Sequence, residues 1–544
     1  MNQVVVDAMN IAYKYASALN FAQDMSAIER TLKNLAGVED FSFSGQLSFE
    51  SSYDDIQSVL SKINERESIR RSKGVYYTPL DVVRFIVANT AKSSLGTLTP
   101  NNINQIAVGT EYVEEFCLGK TFLEPTCGAG EFLLAALELK FDLWCSLHDA
   151  IDTETIRIIV GTMYGNDINA DSVIISKLRL YLCALHRYGV DLCIGLEEIL
   201  NANFTSCDYV VSPPNIEQLY DIILGNPPYV EDSKSGLELT EKYGNIYANV
   251  LNNAAERLKP GGSMGFIIPL SYSSTPRMKK IRKKLLAVTP EQYILCYADR
   301  PDCLFDSVHQ KLCILISKNT GGEKCIYTGN YQYWYQEERG KLFERTTVVK
   351  NGFMRDDCIP KLGNPVDESI FHKIMNPALP TVYSVSREGT SSVYVNRREA
   401  FWIKAFRETI IHPEFKVFSY PTPEEADYCY CLVNSSLFWW YWISVSDCWH
   451  VSKSLNDFRA PSSADYNQAS ELAKRLSAKL EETKIYVGTK QTEYEYKHRE
   501  CLEEIHAIDD FVNNLYGLTE AESEYIKQFA LRYRVSGGAE NESD

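Results

Sequence analysis

From residue 75 to residue 318, short aliphatic and β-branched runs alternate with longer segments whose apolar positions recur at helical spacing. The runs at 121–124, 220–224, 264–268 and 312–316 have the length and composition of buried strands. This alternation predicts a mostly parallel sheet covered by helices, an α/β core occupying residues 61–318. Residues 1–60 show helical spacing with few Gly or Pro and no chemical motif, and predict an N-terminal helical arm. Asn319, Gly321 and Gly322 break the α/β pattern, and residues 319–465 are aromatic-rich with mixed periodicity, as in a second domain of irregular α+β character. A Lys/Glu-rich helical segment is expected over 466–530, starting its charged run near Ser470 and continuing past Cys501, and the polar end at 531–544 reads as a disordered tail.

At 544 residues the chain exceeds the size at which one hydrophobic core keeps growing, which agrees with several domains. Its 15 cysteines show no CxxC pair and no Cys/His cluster at zinc spacing, so reduced core thiols and no metal are expected. Neither an apolar run of roughly 18 residues nor a basic-then-apolar leader is present, so no membrane association is expected and the chain reads as cytoplasmic. The net charge of −17, taken alone, argues against nucleic acid, because phosphate contacts need Lys and Arg. Two basic runs stand against it, Arg70, Arg71 and Lys73, then Lys279, Lys280, Arg282, Lys283 and Lys284, although each reads first as a solvated helix face.

TFLEPTCGAGEFLLAAL, residues 121–137, is a strand, a Gly-bearing turn and a helix. Gly128 and Gly130 would let the backbone approach a ligand, and the helix offers free N–H groups at its start. The next strand, in MYGNDIN at 163–169, ends in Asp167, placed to accept hydrogen bonds from both ribose hydroxyls of a nucleoside cofactor. The same Asp also reads as an N-cap for the helix that follows.

YDIILGNPPYV, residues 220–230, carries the most chemistry. A strand runs directly into Asn226, Pro227, Pro228 and Tyr229 at the edge where open α/β sheets place their ligands. An exocyclic amino group is a poor nucleophile because its lone pair is delocalised into the ring. The side-chain oxygen of Asn226 and the carbonyl of Pro227 can accept its two N–H bonds and draw that lone pair out, while successive prolines hold the backbone still. Tyr229 offers a flat face on which a base can stack. The bland alternative is a Pro-Pro turn that merely ends a strand. DYVVSPPN at 208–215 repeats the pattern, but Asn215 stands where an aromatic face is needed and no helix-length segment follows. Ser212 is therefore expected in a loop leading to the site.

With these motifs in this order, residues 73–318 resemble the N6-adenine DNA methyltransferases of restriction-modification systems, most closely the Eco57I-like and TaqI-like group, whose cofactor motifs precede NPPY. The resemblance implies a Rossmann-like core binding S-adenosyl-L-methionine, a target-recognition region over 319–465, double-stranded DNA as partner, base flipping, and room for a separate restriction endonuclease. In GVYYTPLDVVRFIV it implicates Tyr77, Thr78 and Pro79 beside the methionine part of the cofactor; in EPTCGAGEF, Glu124, Gly128 and Gly130; then Asp167 as the ribose acid. Asn203-Phe204 stands in place of the family's Asp-Phe step, which bonds the cofactor's adenine; Asn is the weaker acceptor. Phe305, in LFDSVHQKLCILI, becomes a second stacking face for the flipped base, with a buried core Phe as the alternative. The segments at 432–454 and 507–523 resemble the end of the target-recognition region and its closing helix, with the aromatic run from Phe438 as core packing and His450 as a structural histidine.

The same NPPY chemistry serves rRNA adenine and protein-glutamine methyltransferases, although the latter are shorter. A catalytically silent DNA-binding subunit is the third alternative, but recognition alone needs no Asn226. A fused nuclease would need an Asp and a Glu-x-Lys pair, for which Asp465, Glu482 and Lys484 are the nearest and an accidental match.

Overall fold

The computed structural model describes residues 2–19, 25–43, 52–63, 77–214, 217–305, 309–382, 389–408, 410, 412–461, 464–488 and 493–536. Its centre is a nine-stranded sheet of β1 (Phe122–Glu124), β2 (Met163–Asn166), β3 (Phe204–Thr205), β4 (Tyr220–Gly225), β5 (Leu258–Pro269), β6 (Glu291–Tyr297), β7 (Leu312–Lys318), β8 (Cys325–Gln332) and β9 (Val349–Lys350). The spatial order is β3-β2-β1-β4-β5-β7-β6-β8-β9. The first five pair in parallel, and β7 runs antiparallel between β5 and β6. This is the expected α/β core, and all four strands anticipated from the apolar runs are present. The order reverses between β1 and β4, the switch point outside which doubly wound sheets bind ligands.

Burial on both sides explains the unbroken apolar runs: Leu312 to Ile316 of β7 are all at most 1% exposed. One covering helix is α4 (Leu80–Leu95), which packs on β5 and β7. Its Thr90 and Ile86 occupy the space above Gly265, where any side chain would collide with them. The arm forms α1 (Gln3–Ala18), α2 (Met25–Ala36) and α3 (Tyr53–Lys62), which bury one apolar face against α7 (Ala170–Tyr188) and its neighbours. Between α4 and α7 lie α5 (Glu131–Leu147) and α6 (Thr153–Gly161).

Three sequence expectations need correction. The sheet does not stop at Lys318, because β8 and β9 extend it and Phe343 stacks on Phe85 of α4 at 4.4 Å. Gly321, at φ +64°, makes a turn between strands, so the boundary expected at 318/319 falls inside the sheet. The charged C-terminal helix is also broken. A helix at Tyr466–Thr483 gives way to a two-stranded hairpin, Ile485–Tyr486 with Tyr494–Glu495, before the next helix at Leu502–Leu515. Finally, the start of the expected tail is a docked helix, Leu531–Ser536, whose Arg534 guanidinium lies 4.0 Å from the Trp402 ring centre and 4.3 Å from that of Trp439. Residues 537–544 lie outside the described residues.

The C-terminal half combines a three-stranded antiparallel sheet, Ala405–Phe406, Ser391–Asn396 and Phe415–Tyr420, with helices. Phe438 to Trp442 are at most 1% exposed, so this aromatic run is core. His450 is exposed and bonded to Asp447. Three lysines of the basic run at 279–284 are paired in place: Lys279 with Asp356, Lys280 with Glu241, and Lys284 with Glu241 and Glu256. Arg70, Arg71 and Lys73 lie outside the described residues. Asp465 caps the helix that has Glu482 at its far end, roughly 25 Å away at 1.5 Å per residue. The nuclease-like triplet therefore does not assemble. Among the described residues, no helix is long and apolar enough to cross a membrane.

Candidate active site

Parallel pairing of β1 with β2 and with β4 brings the C-terminal ends of these strands to one edge, which collects Glu124, Asp167 and Asn226. The turn after β1 is set by glycine. Gly128 and Gly130 adopt φ +50° and +79°, and at Gly130, the N-cap of α5, a side chain would collide with Ser176. Asp167 ties the next strand to this turn: one carboxylate oxygen accepts from Gly128 N and the other from Asn169 N, each at 2.8 Å. The cap of α7 is Asn169, so the capping role does not fall to Asp167. Glu124 is 3% exposed and accepts from Leu133 N at 3.2 Å. Burial, reinforced by the nearby Glu131 and Asp167 carboxyls, pushes its carboxyl well above the usual range against the pull of Leu133 N–H and Arg179.

Two residues that sequence reasoning missed hold this half together. Asn166, 1% exposed, donates to the carbonyls of Pro125 (3.1 Å) and Cys207 (3.0 Å) and accepts from Thr205 and Cys207, joining the ends of β1, β2 and β3. Arg179 of α7, 2% exposed, donates to the carbonyl of Ala129 (2.8 Å), to Glu131 (2.7 Å) and to Gln57 of the N-terminal arm (2.9 Å). An arginine in the apolar face of an amphipathic helix was the available signal.

Asn203-Phe204 is not brought to the edge. Asn203 donates to the carbonyls of Gly161 (2.9 Å) and Met163 (3.1 Å), at the opposite end of β2 from Asp167. The Phe204 ring covers Gly165, where a side chain would collide with it. The expectation rested on resemblance to the family's Asp-Phe step, and the register of β3 against β2 puts Asn203 short of the edge.

β4 delivers Asn226 to the edge, where its amide nitrogen donates to Thr78 Oγ at 3.0 Å. Thr78 is buried at the start of α4, Pro79 is that helix's N-cap, and Lys62 Nζ lies 5.3 Å from the ring centre of half-buried Tyr77. Gly225 abuts the cofactor side, since a side chain there would meet Glu124 Cγ at 3.5 Å. After Pro227 and Pro228, the Tyr229 hydroxyl donates to the Ile267 carbonyl of β5 at 2.9 Å, and its ring meets Tyr247 edge-on at 6.4 Å. The loop between β6 and β7 returns at this same edge and carries Phe305, 1% exposed. The second Pro-Pro stretch lies elsewhere. Arg257 donates to the Pro214 carbonyl and stands over Tyr209, while its own carbonyl accepts from Tyr220 N, the first residue of β4. Ser212 and its neighbours thus sit at the strand's entry, opposite Asn226; Asn215 lies outside the described residues. Ile168, next to Asp167, is 67% exposed and offers an apolar surface beside the carboxylate.

Residues 162–299 match the family described as Eco57I restriction-modification methylase. Among relatives, the type II methyltransferase M.VspI of Vibrio sp. (strain 343) is 25% identical over 41% of this chain and 43% of its own length. Modification methylase CviBIII of Paramecium bursaria Chlorella virus NC1A is 28% identical over 43% of this chain and 51% of its own. The chain thus spans about half the length of these relatives. Among solved structures, the type IIL restriction-modification enzyme MmeI, determined in complex with DNA, superposes with a TM-score of 0.53 at 14% identity, covering 88% of this chain and 81% of that one, which shows a shared fold. The family match thus covers about a quarter of the chain, residues 162–299, and the type IIL enzyme shares the fold.

Proposed function

We propose that this chain is a site-specific DNA methyltransferase that uses S-adenosyl-L-methionine to modify the exocyclic N6 of adenine in double-stranded DNA. The observation that carries the reading is the Asn226 amide, held by Thr78 at the edge shared with the glycine turn and Asp167. The residues suit the cofactor. Gly128 has open space where a side chain would be, and a carboxylate such as that of Asp167 can accept from ribose hydroxyls as well as from backbone N–H. Ile168 presents an apolar surface for a purine. When bound, the cofactor supplies an electrophilic methyl group.

Everything else falls to the chain. With its nitrogen committed to Thr78, the Asn226 amide turns its oxygen to the other side, where it and the Pro227 carbonyl accept the two N–H bonds of the target amine. The amine lone pair so exposed would take up the methyl group that the cofactor supplies, and the proton the amine then sheds would pass to water. Tyr229, pinned through its hydroxyl, holds the extruded base against its ring. The match to a restriction-modification methylase model supports DNA as substrate, and the α+β region after β9 is the proposed target reader.

Sequencing DNA from cells expressing the chain with a modification-sensitive method tests the reading. N6-methyladenine at one motif is expected, absent with Asn226→Ala. N4-methylcytosine, or methylation that persists in that variant, would overturn it.

A further inference from the structure

A single guanidinium outside the expected catalytic segment bridges two segments that frame this site. Arg339 lies in the two-turn 3₁₀ segment Gln336–Lys341, between β8 and β9. It grips Asp81 in a fork, Nε to one carboxylate oxygen at 2.6 Å and Nη2 to the other at 2.9 Å. The same guanidinium donates to the carbonyls of Cys303 (3.3 Å) and Leu304 (3.2 Å), the residues immediately before Phe305. Asp81 stands in the first turn of α4, three residues after Thr78, whose hydroxyl holds Asn226.

Resting on the function proposed above, we propose that Arg339 is a positioning residue for methyl transfer: it locks the Thr78 segment that orients Asn226 to the loop that carries Phe305. Arg339 acts through the supports of Asn226 and Phe305, namely Asp81 and the carbonyls of Cys303 and Leu304. Its own position is fixed from behind. The adjacent Glu338 accepts from Tyr335 N (2.8 Å), Arg532 (2.8 Å) and the Tyr533 hydroxyl (3.0 Å), which ties the turn to the C-terminal helix at Leu531–Ser536. Only a planar fork can serve a carboxylate and two carbonyls together. A lysine carries the charge without the geometry.

The test uses the full-length chain and a duplex containing its mapped methylation site. Arg339→Lys and Asp81→Asn are compared with wild type, with Arg339→Ala as the fuller deletion. If Arg339 positions the site, kcat per titrated active site falls roughly 10-fold to 100-fold, the scale for a misplacement of about 1 Å. KM for DNA should change far less. Amide exchange should rise together in residues 77–82 and 303–305 in Arg339→Lys, a readout independent of activity. Wild-type kcat per active site in both Arg339 variants, or exchange that rises in only one segment, overturns the clamp. Failure of the functional reading looks different: wild type would then place no methyl group on adenine, while the exchange result would still report on the clamp.

Discussion

The cofactor side and the target side of this edge are built differently. On the cofactor side the polar groups answer one another within one supersecondary unit: Gly128 and Asp167 are 39 residues apart, and each carboxylate oxygen of Asp167 is already bonded to backbone N–H. On the target side Tyr229 is pinned to Ile267 only 38 residues on, but Asn226 and its supporting segment are held by distant residues. Asn226 reaches Thr78 across 148 residues, and Arg339 reaches Asp81 across 258. The bond between the glycine turn and Asp167 thus needs only β1, β2 and their helices, whereas the Arg339 support of the target side needs the chain after β7 packed on α4.

The largest effect should come from breaking the target side at its centre. Asn226→Ala is expected to lower methyl transfer by more than about 100-fold, the scale for losing a preorganised acceptor. Calorimetry should find S-adenosyl-L-methionine affinity nearly unchanged; a matching loss of cofactor affinity would mean that the two sides are not separable. Asp167→Ala tests the other side. It should weaken cofactor binding by about 1.5–3 kcal/mol, and unchanged affinity in a folded variant would reduce Asp167 to a staple for the glycine turn.

Tyr229 sharpens the contrast further, because its hydroxyl and its ring do different things. Tyr229→Phe loses the bond to the Ile267 carbonyl, about 0.5–1.5 kcal/mol of stability, and should keep most activity. Tyr229→Ala also loses a base-stacking contact of about 1–3 kcal/mol. If Phe were as damaging as Ala in turnover at low DNA concentration, the stacking account would be wrong.

The smallest effect is a pH dependence. Burial, with the charges of Lys404 and Arg534, pushes His498 down to about 3 from its ordinary 6.5, while the carbonyl of Tyr496 pulls the other way. A depressed folded-state value contributes stability above pH 6.5 that is lost as pH falls toward 3. Asp367 and Asp509, raised by burial to about 6, have the opposite slope, so the wild-type slope is a difference. His498→Gln isolates the histidine: the stability gap between wild type and variant should shrink between pH 7 and pH 4 in chemical denaturation. A gap independent of pH would remove His498 from the account.

Legibility followed the same division. The glycine turn, Asp167 and the NPPY tetrapeptide could be read because each is a short motif whose residue types the chemistry and backbone both demand. Asn203 was misplaced because one register step along β3 moves a residue toward the wrong end of the sheet, and register depends on how Phe204 packs over Gly165. The boundary at 318/319 was misplaced because a glycine turn between strands and a linker between domains have the same composition. Arg179 left only the signal of an arginine in an apolar helix face, and Arg339 left none, since nothing near either in the chain is its partner.

By itself the sequence determined the alternation of strands and helices, the order of the cofactor and catalytic motifs, and the identity of the groups that meet at the strand ends. Those properties are written in periodicity and in local backbone demands. Only the tertiary structure decided that β8 and β9 complete the catalytic sheet, that Asn169 caps α7 and leaves the capping role away from Asp167, and that Thr78 and Arg339 support the target side. The physical reason is that hydrogen bonds between residues more than a hundred positions apart depend on the register and packing of whole elements, which no local pattern encodes.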